Sequence, residues 1–332
     1  MNTSHFSHDP NPQEPGSPQN PAQETAIEAA PAAAAPQAVA PESVAPEAAN
    51  PEPAAPEAVV PASVAPQLPV TPQTAPAAGA RPAIEIRGLT KAFGQKVAVD
   101  RINLDIPSGS FYGLVGRNGA GKTTTISMVT GMLMPSEGTA YVRGIDMWAD
   151  PLKAKAHLGV LPDGVHLFDK LTGEQLITYS GYLHGIDKET VASRVKDLLT
   201  AMDLTDAAGR AVADYSAGMT KKIALAAALV HAPSVLILDE PFEAVDPVSA
   251  ANIQDILRGF VASGGTVIIS SHVMDLVQRL CDHVAIINAG RVVVAGTTEQ
   301  VAAGADLEQR FTELVGGQVR TEGLSWLRPS SS

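Results

Sequence analysis

Between residues 83 and 106 the chain has short apolar-rich runs at 83–86, 97–99 and 102–106, and the first and last of them alternate apolar and polar positions. Alternation with a period of two is typical of strands that bury one face. The connections between the runs are too short for helical crossovers. The pattern therefore predicts a small antiparallel sheet at the start of the folded part.

Continuous apolar runs follow at 111–115, 235–238 and 266–270. Such runs are typical of strands that are covered on both faces of a parallel sheet. A further strand is expected around 139–142. Apolar residues at helical spacing predict helices at 124–133, 217–230, 248–262 and 273–281, and a mainly helical segment over about 163–215. Strands that alternate with helices predict an α/β fold.

The composition divides the chain into unequal parts. Residues 1–80 contain no Lys or Arg, 8 acidic residues and 17 of the 26 prolines. So few large apolar side chains cannot offset a backbone ordering cost of about 1–2 kcal/mol per residue. We expect a disordered tail over 1–80 and one large folded domain over 81–300. We expect the extension at 301–332 to form a helix near 307–315 and to end in a tail that contains Trp326.

Charge and cysteine content exclude several classes of protein. Residues 81–332 hold 23 basic and 27 acidic residues, without the basic stripe that nucleic-acid-binding proteins present. The single cysteine, Cys281, excludes an intrachain disulfide and a Cys-based zinc site, and we expect it in the core. Polar residues and Pro233 interrupt the longest apolar stretch, 223–238, and no secretory signal is recognised. We therefore expect a cytoplasmic chain.

Residues 116–123 read Gly-Arg-Asn-Gly-Ala-Gly-Lys-Thr and fit G-x-x-x-x-G-K-(S/T) at every fixed position. The segment lies between a predicted strand and a predicted helix. Backbone N–H groups, the helix dipole and the Lys122 ammonium then converge to bind nucleotide phosphates, while the Thr123 hydroxyl binds Mg²⁺. The glycines allow positive φ and a close approach of main chain to phosphate. The alternative is a chance glycine-rich turn, and the strand–loop–helix context argues against it.

Two other predicted strands end in residues that suit phosphate chemistry. The run 235–238 ends in Asp239, which can hold Mg²⁺ through its water shell, and Glu240, which can polarise an attacking water. The strand at 266–271 delivers His272 to the carboxyl edge of the sheet, where ligands bind. Ser216 begins the helix at 217–230, either as an ordinary cap or as a second anion site. An acidic turn and a surface histidine are the plainer alternatives for the first two.

In this order the motifs resemble the ATP-binding cassette (ABC) ATPases, the nucleotide-binding subunits of ABC transporters, over about residues 83–300. The resemblance implies a P-loop NTPase fold of the ABC ATPase type. That fold has a mainly parallel sheet core, a small antiparallel β subdomain and a helical subdomain, here at about 163–215. The implied cofactors are ATP and Mg²⁺. The residues implied in binding ATP are Phe93, which would stack on adenine, and Gly116, Arg117, Asn118, Gly119, Ala120, Gly121, Lys122, Thr123, Thr124, Asp163, Ser216 and Gly218.

The same resemblance implies catalytic roles. Glu240 would be the catalytic base, with Lys122 and the switch histidine His272 beside it, and residues 244–246 resemble the D-loop. The implied Mg²⁺ ligands are Thr123, Asp239 and Asp163.

The chain departs from the family at three places. Residues 241–243, before the D-loop, read Pro-Phe-Glu where many relatives have Pro-Thr-x. Asp163 stands where the family usually has Gln; it is shorter and anionic and would hold Mg²⁺ through water. The signature motif, usually LSGGQ, has Ala217 at its first glycine and Met219 at its glutamine, and it keeps Ser216 and Gly218.

The resemblance also implies partners. In the family, ATP lies between two subunits arranged head to tail, so we expect a dimer, in the simplest case a homodimer. We expect an integral membrane permease, encoded separately and of the exporter type, to dock on residues 163–215. The chain would then lie at the inner face of the cell membrane and couple ATP hydrolysis to transport, without a nucleic-acid partner.

The alternatives are other classes of ABC or nucleotide-binding protein. The first is a soluble, non-transport ABC ATPase that regulates a macromolecular partner. The second is a DNA-repair ATPase, which would need a long coiled-coil insertion where only 92 residues separate Thr123 from Ser216. The third is a non-catalytic, nucleotide-gated binding module, which the presence of Glu240 and His272 disfavours.

Overall fold

The computed structural model describes residues 81–164 and 167–316. The predicted tails at 1–80 and around Trp326 lie outside the described residues. In chain order the strands are β1 (Ile84–Phe93), β2 (Lys96–Ile106), β3 (Phe111–Val115), β4 (Glu137–Val142), β5 (Ile145–Asp146), β6 (Leu158–Leu161), β7 (Val235–Asp239), β8 (Thr266–Ser271), β9 (His283–Asn288) and β10 (Arg291–Thr297). The α-helices are α1 (Lys122–Val129), α2 (Pro151–Ala156), α3 (Gly173–Leu183), α4 (Lys188–Ala201), α5 (Ala217–Leu229), α6 (Pro247–Ala262), α7 (Met274–Leu280), α8 (Thr298–Ala302) and α9 (Leu307–Val315).

The strands form two sheets in the described part of the chain. The antiparallel sheet has the order β2-β1-β4-β5, and the larger sheet has the order β10-β9-β3-β8-β7-β6. In the larger sheet β9, β3, β8, β7 and β6 are parallel, and β10 pairs antiparallel with β9 at the edge. The prediction of a small antiparallel sheet beside a mainly parallel one is confirmed.

The larger sheet separates two hydrophobic cores. On β3, Phe111 and Val115 contact the core that the helices form, while Tyr112 and Leu114 contact the core shared with α1 and the antiparallel sheet. Side chains along a strand point alternately to the two faces, so a strand between two cores must be apolar at every position. Cys281 is buried in the helical core, as expected.

The segment predicted to be mainly helical contains α3 and α4. Both begin with a side-chain cap: Thr172 accepts the Gln175 N–H in a capping box, and Asp187 accepts the Glu189 and Thr190 N–H groups. Each helix buries one face, which carries Ile177 in α3 and Val195 in α4. Apolar residues at helical spacing on a short capped segment are enough to specify this subdomain.

Several predicted boundaries are wrong. Residues 97–99 and 102–106 belong to one strand, β2, which continues past Arg101 because that residue takes a left-handed conformation (φ 49°) and absorbs a shift in register. The helix after the glycine-rich segment spans Lys122–Val129 and not 124–133, and the strand predicted at 83–86 extends to Phe93. No element is predicted at β6 or α2, because their four and six residues are too few for a periodic pattern.

Candidate active site

Three neighbouring parallel strands end at one edge of the larger sheet. In the order β3-β8-β7, Val115 pairs with Ser271, and Ser270 pairs with Asp239. The segments that follow these residues therefore leave the sheet side by side. They carry the glycine-rich loop 116–121, His272 and Glu240, so the predicted convergence of the three motifs is confirmed.

The loop 116–121 depends on glycine at particular points. Gly119 and Gly121 have φ values of 79° and 107°, which non-glycine residues rarely adopt. A Cβ atom at Gly116 would lie 2.4 Å from the Ile287 carbonyl oxygen, and one at Gly121 would lie 2.8 Å from that of Ala98. The loop is thus pressed against β9 and β2. No side chain caps α1, so its first N–H groups are left for a ligand.

Lys122 begins α1 and turns back over the loop. Its side chain is 6% exposed, and its Nζ donates to the Gly116 carbonyl at 2.8 Å. The same nitrogen lies 3.5 Å from Glu240 Oε1. The Lys122 ammonium is therefore buried beside one carbonyl and one carboxylate, and its positive charge can bind a phosphate.

Glu240 is held at several points. Its φ is 45°, its N–H donates to Ser270 Oγ at 3.0 Å, and its carbonyl accepts Lys221 Nζ at 3.1 Å. Its Oε2 lies 3.1 Å from His272 Nδ1, and the side chain is 12% exposed. The Ser270 hydroxyl donates in turn to Asp239 Oδ1. One serine on β8 therefore contacts the carboxylate of Asp239, at the end of β7, and the main chain of Glu240 that follows it.

These groups border a cavity of about 680 Å³. The size is that of a pocket for a small molecule or cofactor. The predicted site residues that line it are Phe93, Arg117, Asn118, Gly119, Gly121, Lys122, Thr123, Thr124, Asp163, Glu240 and His272. Residues that the sequence analysis did not assign to the site also line it, namely Lys96, Val97, Ala98, Glu243, Ala289 and Gly290. Lys96, Val97 and Ala98 belong to β2, Ala289 and Gly290 form the β9–β10 turn, and Glu243 follows β7. No local sequence motif identifies these segments as part of the site.

Comparison with known proteins identifies the family. The family model described as ABC transporter matches residues 99–243. The chain is 36% identical to the daunorubicin/doxorubicin resistance ATP-binding protein DrrA of Streptomyces peucetius over 219 residues. This match covers 66% of each chain. It is 35% identical over 205 residues to the ABC transporter ATP-binding protein NatA of Bacillus subtilis (strain 168), covering 61% of this chain and 83% of NatA. The chain belongs to the ABC transporter ATP-binding family.

A solved structure agrees with the family assignment. It is described as the ATP-binding subunit of an ABC transporter, and it matches 70% of this chain and 99% of its own chain with a TM-score of 0.66 and 25% identity. The chain is accordingly an ABC ATPase. Among the described residues of this ABC ATPase, no helix combines the length and the apolar character that a membrane span requires.

Five of the predicted site residues of the ABC ATPase do not line the cavity. Gly116 and Ala120 lie within the loop, and Asp239 is 1% exposed beneath it. Ser216 is exposed and caps α5 by accepting the Met219 N–H at 3.3 Å. Gly218 is buried, and a Cβ atom there would lie 2.9 Å from Asp246 Oδ2.

Two residues of this ABC ATPase that do line the cavity have informative surroundings. The Phe93 ring is 52% exposed, with Lys91 Nζ 5.3 Å from its centroid, so it is not a core aromatic. Asp163 Oδ1 accepts the N–H of its neighbour Gly164 at 2.8 Å. The exposed Phe93 ring can stack on a flat ligand. The Gly164 N–H orients the Asp163 carboxylate.

A second cavity, of about 410 Å³, lies between the helical subdomain of the ABC ATPase and the larger sheet. Most of its lining is apolar, including Leu158, Leu167 and Ala227, and Lys155 supplies a positive charge. His184 and His231 stack there with centroids 3.8 Å apart. Burial, with the charge of His184 nearby, lowers the pKa of His231 to about 4.

Proposed function

We propose that this ABC ATPase is the energising subunit of a transporter of the exporter type and that it drives a separately encoded membrane permease. The observation that carries the proposal is the meeting of the 116–121 loop, Lys122, Glu240 and His272 on one cavity. The relatives named for drug resistance and transport support it.

Phosphate binding follows from the charges on the cavity wall. The loop N–H groups and Lys122 would hold the β- and γ-phosphates of ATP, since amide dipoles and a buried ammonium both favour anions. Phe93, exposed at the cavity rim, would stack on the adenine. Phosphate would replace Glu240 as the partner of Lys122 and leave the carboxylate available for water.

Hydrolysis needs a base and a means to hold it. Glu240 would accept the proton of the attacking water, and His272, 3.1 Å from its carboxylate, would hold the γ-phosphate. Two hydrogen bonds fix the main chain of Glu240, and His272 and Lys122 contact its carboxylate before substrate arrives. Such preorganisation lowers the cost of reaching the transition state.

Thr123, Asp239 and Asp163 suit a Mg²⁺ ion. The described residues contain no cluster of three or more His, Cys, Asp or Glu that could hold a metal alone. Mg²⁺ in nucleotide sites usually takes one or two carboxylates together with phosphates and waters, so this sparse donor set fits it. When bound, the ion would neutralise charge on the β- and γ-phosphates.

Dimerisation would complete the site. Ser216 and Gly218 do not line the cavity of their own chain, and Ser216 is exposed at the start of α5. We propose a homodimer in which each Ser216 reaches the ATP held by the other chain. ATP would close the two chains together, and hydrolysis would release them.

The second cavity, which is lined by Leu158, Leu167 and Ala227, would bind the permease. It borders the subdomain at 163–215, and its apolar lining suits a helix with an apolar face. The chain would then lie on the cytoplasmic side of the membrane, held there by the permease.

The test uses the purified full chain and its co-purifying partners. We expect Mg²⁺-dependent release of phosphate from ATP and recovery of a multi-spanning membrane protein in pull-downs. Absence of both saturable ATP binding and phosphate release would refute the ATPase proposal. Recovery of a soluble macromolecular complex alone would favour the regulatory class of ABC ATPase.

A further inference from the structure

The turn between β9 and β10 contributes Ala289 and Gly290 to the cavity wall. Asn288 and Arg291 pair across it, and its two central residues have φ values of 46° and 77°. Positive φ at both central positions of a two-residue hairpin loop defines the type I′ turn. The turn therefore has a fixed shape at the point where it faces the glycine-rich loop.

Gly290 uses both of its main-chain polar groups to join other elements. Its N–H donates to the Ala120 carbonyl at 2.9 Å, and its carbonyl accepts the Asp100 N–H at 2.9 Å. Because a trans peptide is planar, its C=O and N–H point in opposite directions. Holding the Ala120 carbonyl toward the turn therefore directs the Gly121 N–H away from it. Gly121 lines the cavity.

Contacts around this point leave no room for a side chain. A Cβ atom on Gly290 would lie 2.6 Å from the Ala98 carbonyl oxygen, and one on Gly121 would lie 2.8 Å from the same oxygen. We call the group formed by Ala98, Asp100, Ala120, Gly121 and Gly290 the Gly290 junction. It joins β2, the glycine-rich loop and the β9–β10 turn through main-chain atoms.

An ion pair holds the junction from outside. Asp100 Oδ2 accepts Arg291 Nε at 2.8 Å and also Arg291 Nη2. Arg291 thereby lowers the pKa of Asp100, which also accepts from Arg101. The two-pronged contact ties the first residue of β10 to β2.

We propose that Gly290 is a positioning residue for nucleotide binding. Its N–H fixes the Ala120–Gly121 peptide so that the Gly121 N–H aims at the phosphates, and the Asp100–Arg291 pair keeps Gly290 in place. The inference rests on the proposed function, since it assumes that the cavity binds ATP. It adds Gly290, which lies 169 positions after the last residue of the loop 116–121, to the groups that shape the phosphate site.

The experiment measures MgATP binding by calorimetry on the full chain, with a thermal melt of each variant. Gly290→Ala should raise the Kd about tenfold or more, the loss expected when a hydrogen bond to a charged group is weakened. Gly304→Ala is the matched control, because Gly304 also has a positive φ (83°) but nothing within 4 Å of its Cβ position. The control has the same positive-φ strain without the clash, so it should lower the melting temperature less than Gly290→Ala does and leave the Kd within about twofold.

A second pair of variants tests the Gly290 junction by changing the exposed Asp100–Arg291 ion pair. Arg291→Ala should raise the Kd about threefold, as suits the small energy of a surface pair. Arg291→Lys keeps one charged donor and should restore most of the affinity. Arg258→Ala removes a comparable surface pair with Asp255 on α6 and should change nothing in binding.

The outcomes separate the inference from the proposed function. Saturable binding by the wild type, with folded Gly290→Ala at wild-type affinity, would overturn the inference and leave the proposed function standing. If Gly290→Ala does not fold, wild-type affinity in Arg291→Ala would overturn it instead. No saturable binding by the wild type would overturn both.

Discussion

Replacing Glu240 with Gln tests the chemistry most directly. Gln has nearly the same shape and keeps one oxygen near Lys122 Nζ, which lies 3.5 Å from Oε1. It cannot take a proton from water. Removing a general base typically costs 10²–10⁴-fold in rate, or about 3–5 kcal/mol in the barrier. We therefore expect single-turnover phosphate release to fall by about two to four orders of magnitude.

The same substitution should separate hydrolysis from binding. The carboxylate adds negative charge to a cavity that we propose holds a triphosphate, so its removal should leave ATP affinity unchanged or higher. Without ATP, Lys122 loses a charged partner and keeps its bond to the Gly116 carbonyl. We expect the free energy of unfolding of the ATP-free variant to fall by about 1–3 kcal/mol, and MgATP to recover most of it.

The assay combines phosphate release, calorimetry with MgATP and thermal melts with and without the nucleotide. Glu243→Gln is the control, because it removes one negative charge from the same cavity and the described contacts give Glu243 no ion pair. Its phosphate release should stay within about tenfold of wild type, well above the Glu240 variant. Phosphate release by Glu240→Gln within about threefold of wild type would refute the role of base.

Three further predictions concern binding, packing and pH. Lys122→Ala should weaken MgATP binding about tenfold or more, since it removes the buried cation of the cavity; equal affinity by calorimetry would contradict it. Gly159→Ala should lower the urea-unfolding free energy by about 1–3 kcal/mol, because its Cβ would lie 2.4 Å from the Ala228 carbonyl, whereas Gly209→Ala meets nothing and should be near neutral. The pKa of His231 is lowered from 6.5 to about 4, so the unfolded chain takes up a proton first as the pH falls. The contribution of His231 to stability should be complete above pH 6.5 and, since the ring is only partly buried, fall by about 1–2 kcal/mol toward pH 4; an equally steep fall in His231→Gln would exclude this histidine as the cause.

The sequence predicts the parts of the site that depend on local chain chemistry. The glycine pattern at 116–123, between a predicted strand and a predicted helix, predicts a phosphate loop, and Gly116, Gly119 and Gly121 have the positive φ or the close contacts that only glycine tolerates. Asp239, Glu240 and His272 are found because each follows an apolar strand. Parallel strands place their carboxyl ends at one edge, so spacing along the chain becomes proximity in space.

Other parts of the site depend on tertiary packing and leave no local signal. Lys96, Ala98 and Gly290 line the cavity because the antiparallel sheet and the β9–β10 turn close over the loop. Their segments are short and carry ordinary strand and turn residues. The strand β6 was not assigned for a related reason, since four residues cannot establish a period. Such features become visible only once the register of distant strands is known.

The backbone conformation near the cavity also explains why the spacing of motifs along the sequence could not predict the orientation of Glu240. Glu240, Ala244 and Ala289 all have φ between 45° and 57°, where non-glycine residues pay about 1–2 kcal/mol each. Glycine would relieve that strain, yet at position 240 it would remove the carboxylate. The conformation of Glu240 is instead held by Ser270 on β8 and Lys221 on α5, which bond its N–H and its carbonyl. The position of the proposed base is therefore set by three elements at once, so its alignment should be as sensitive to changes in β8 and α5 as to changes in its own strand.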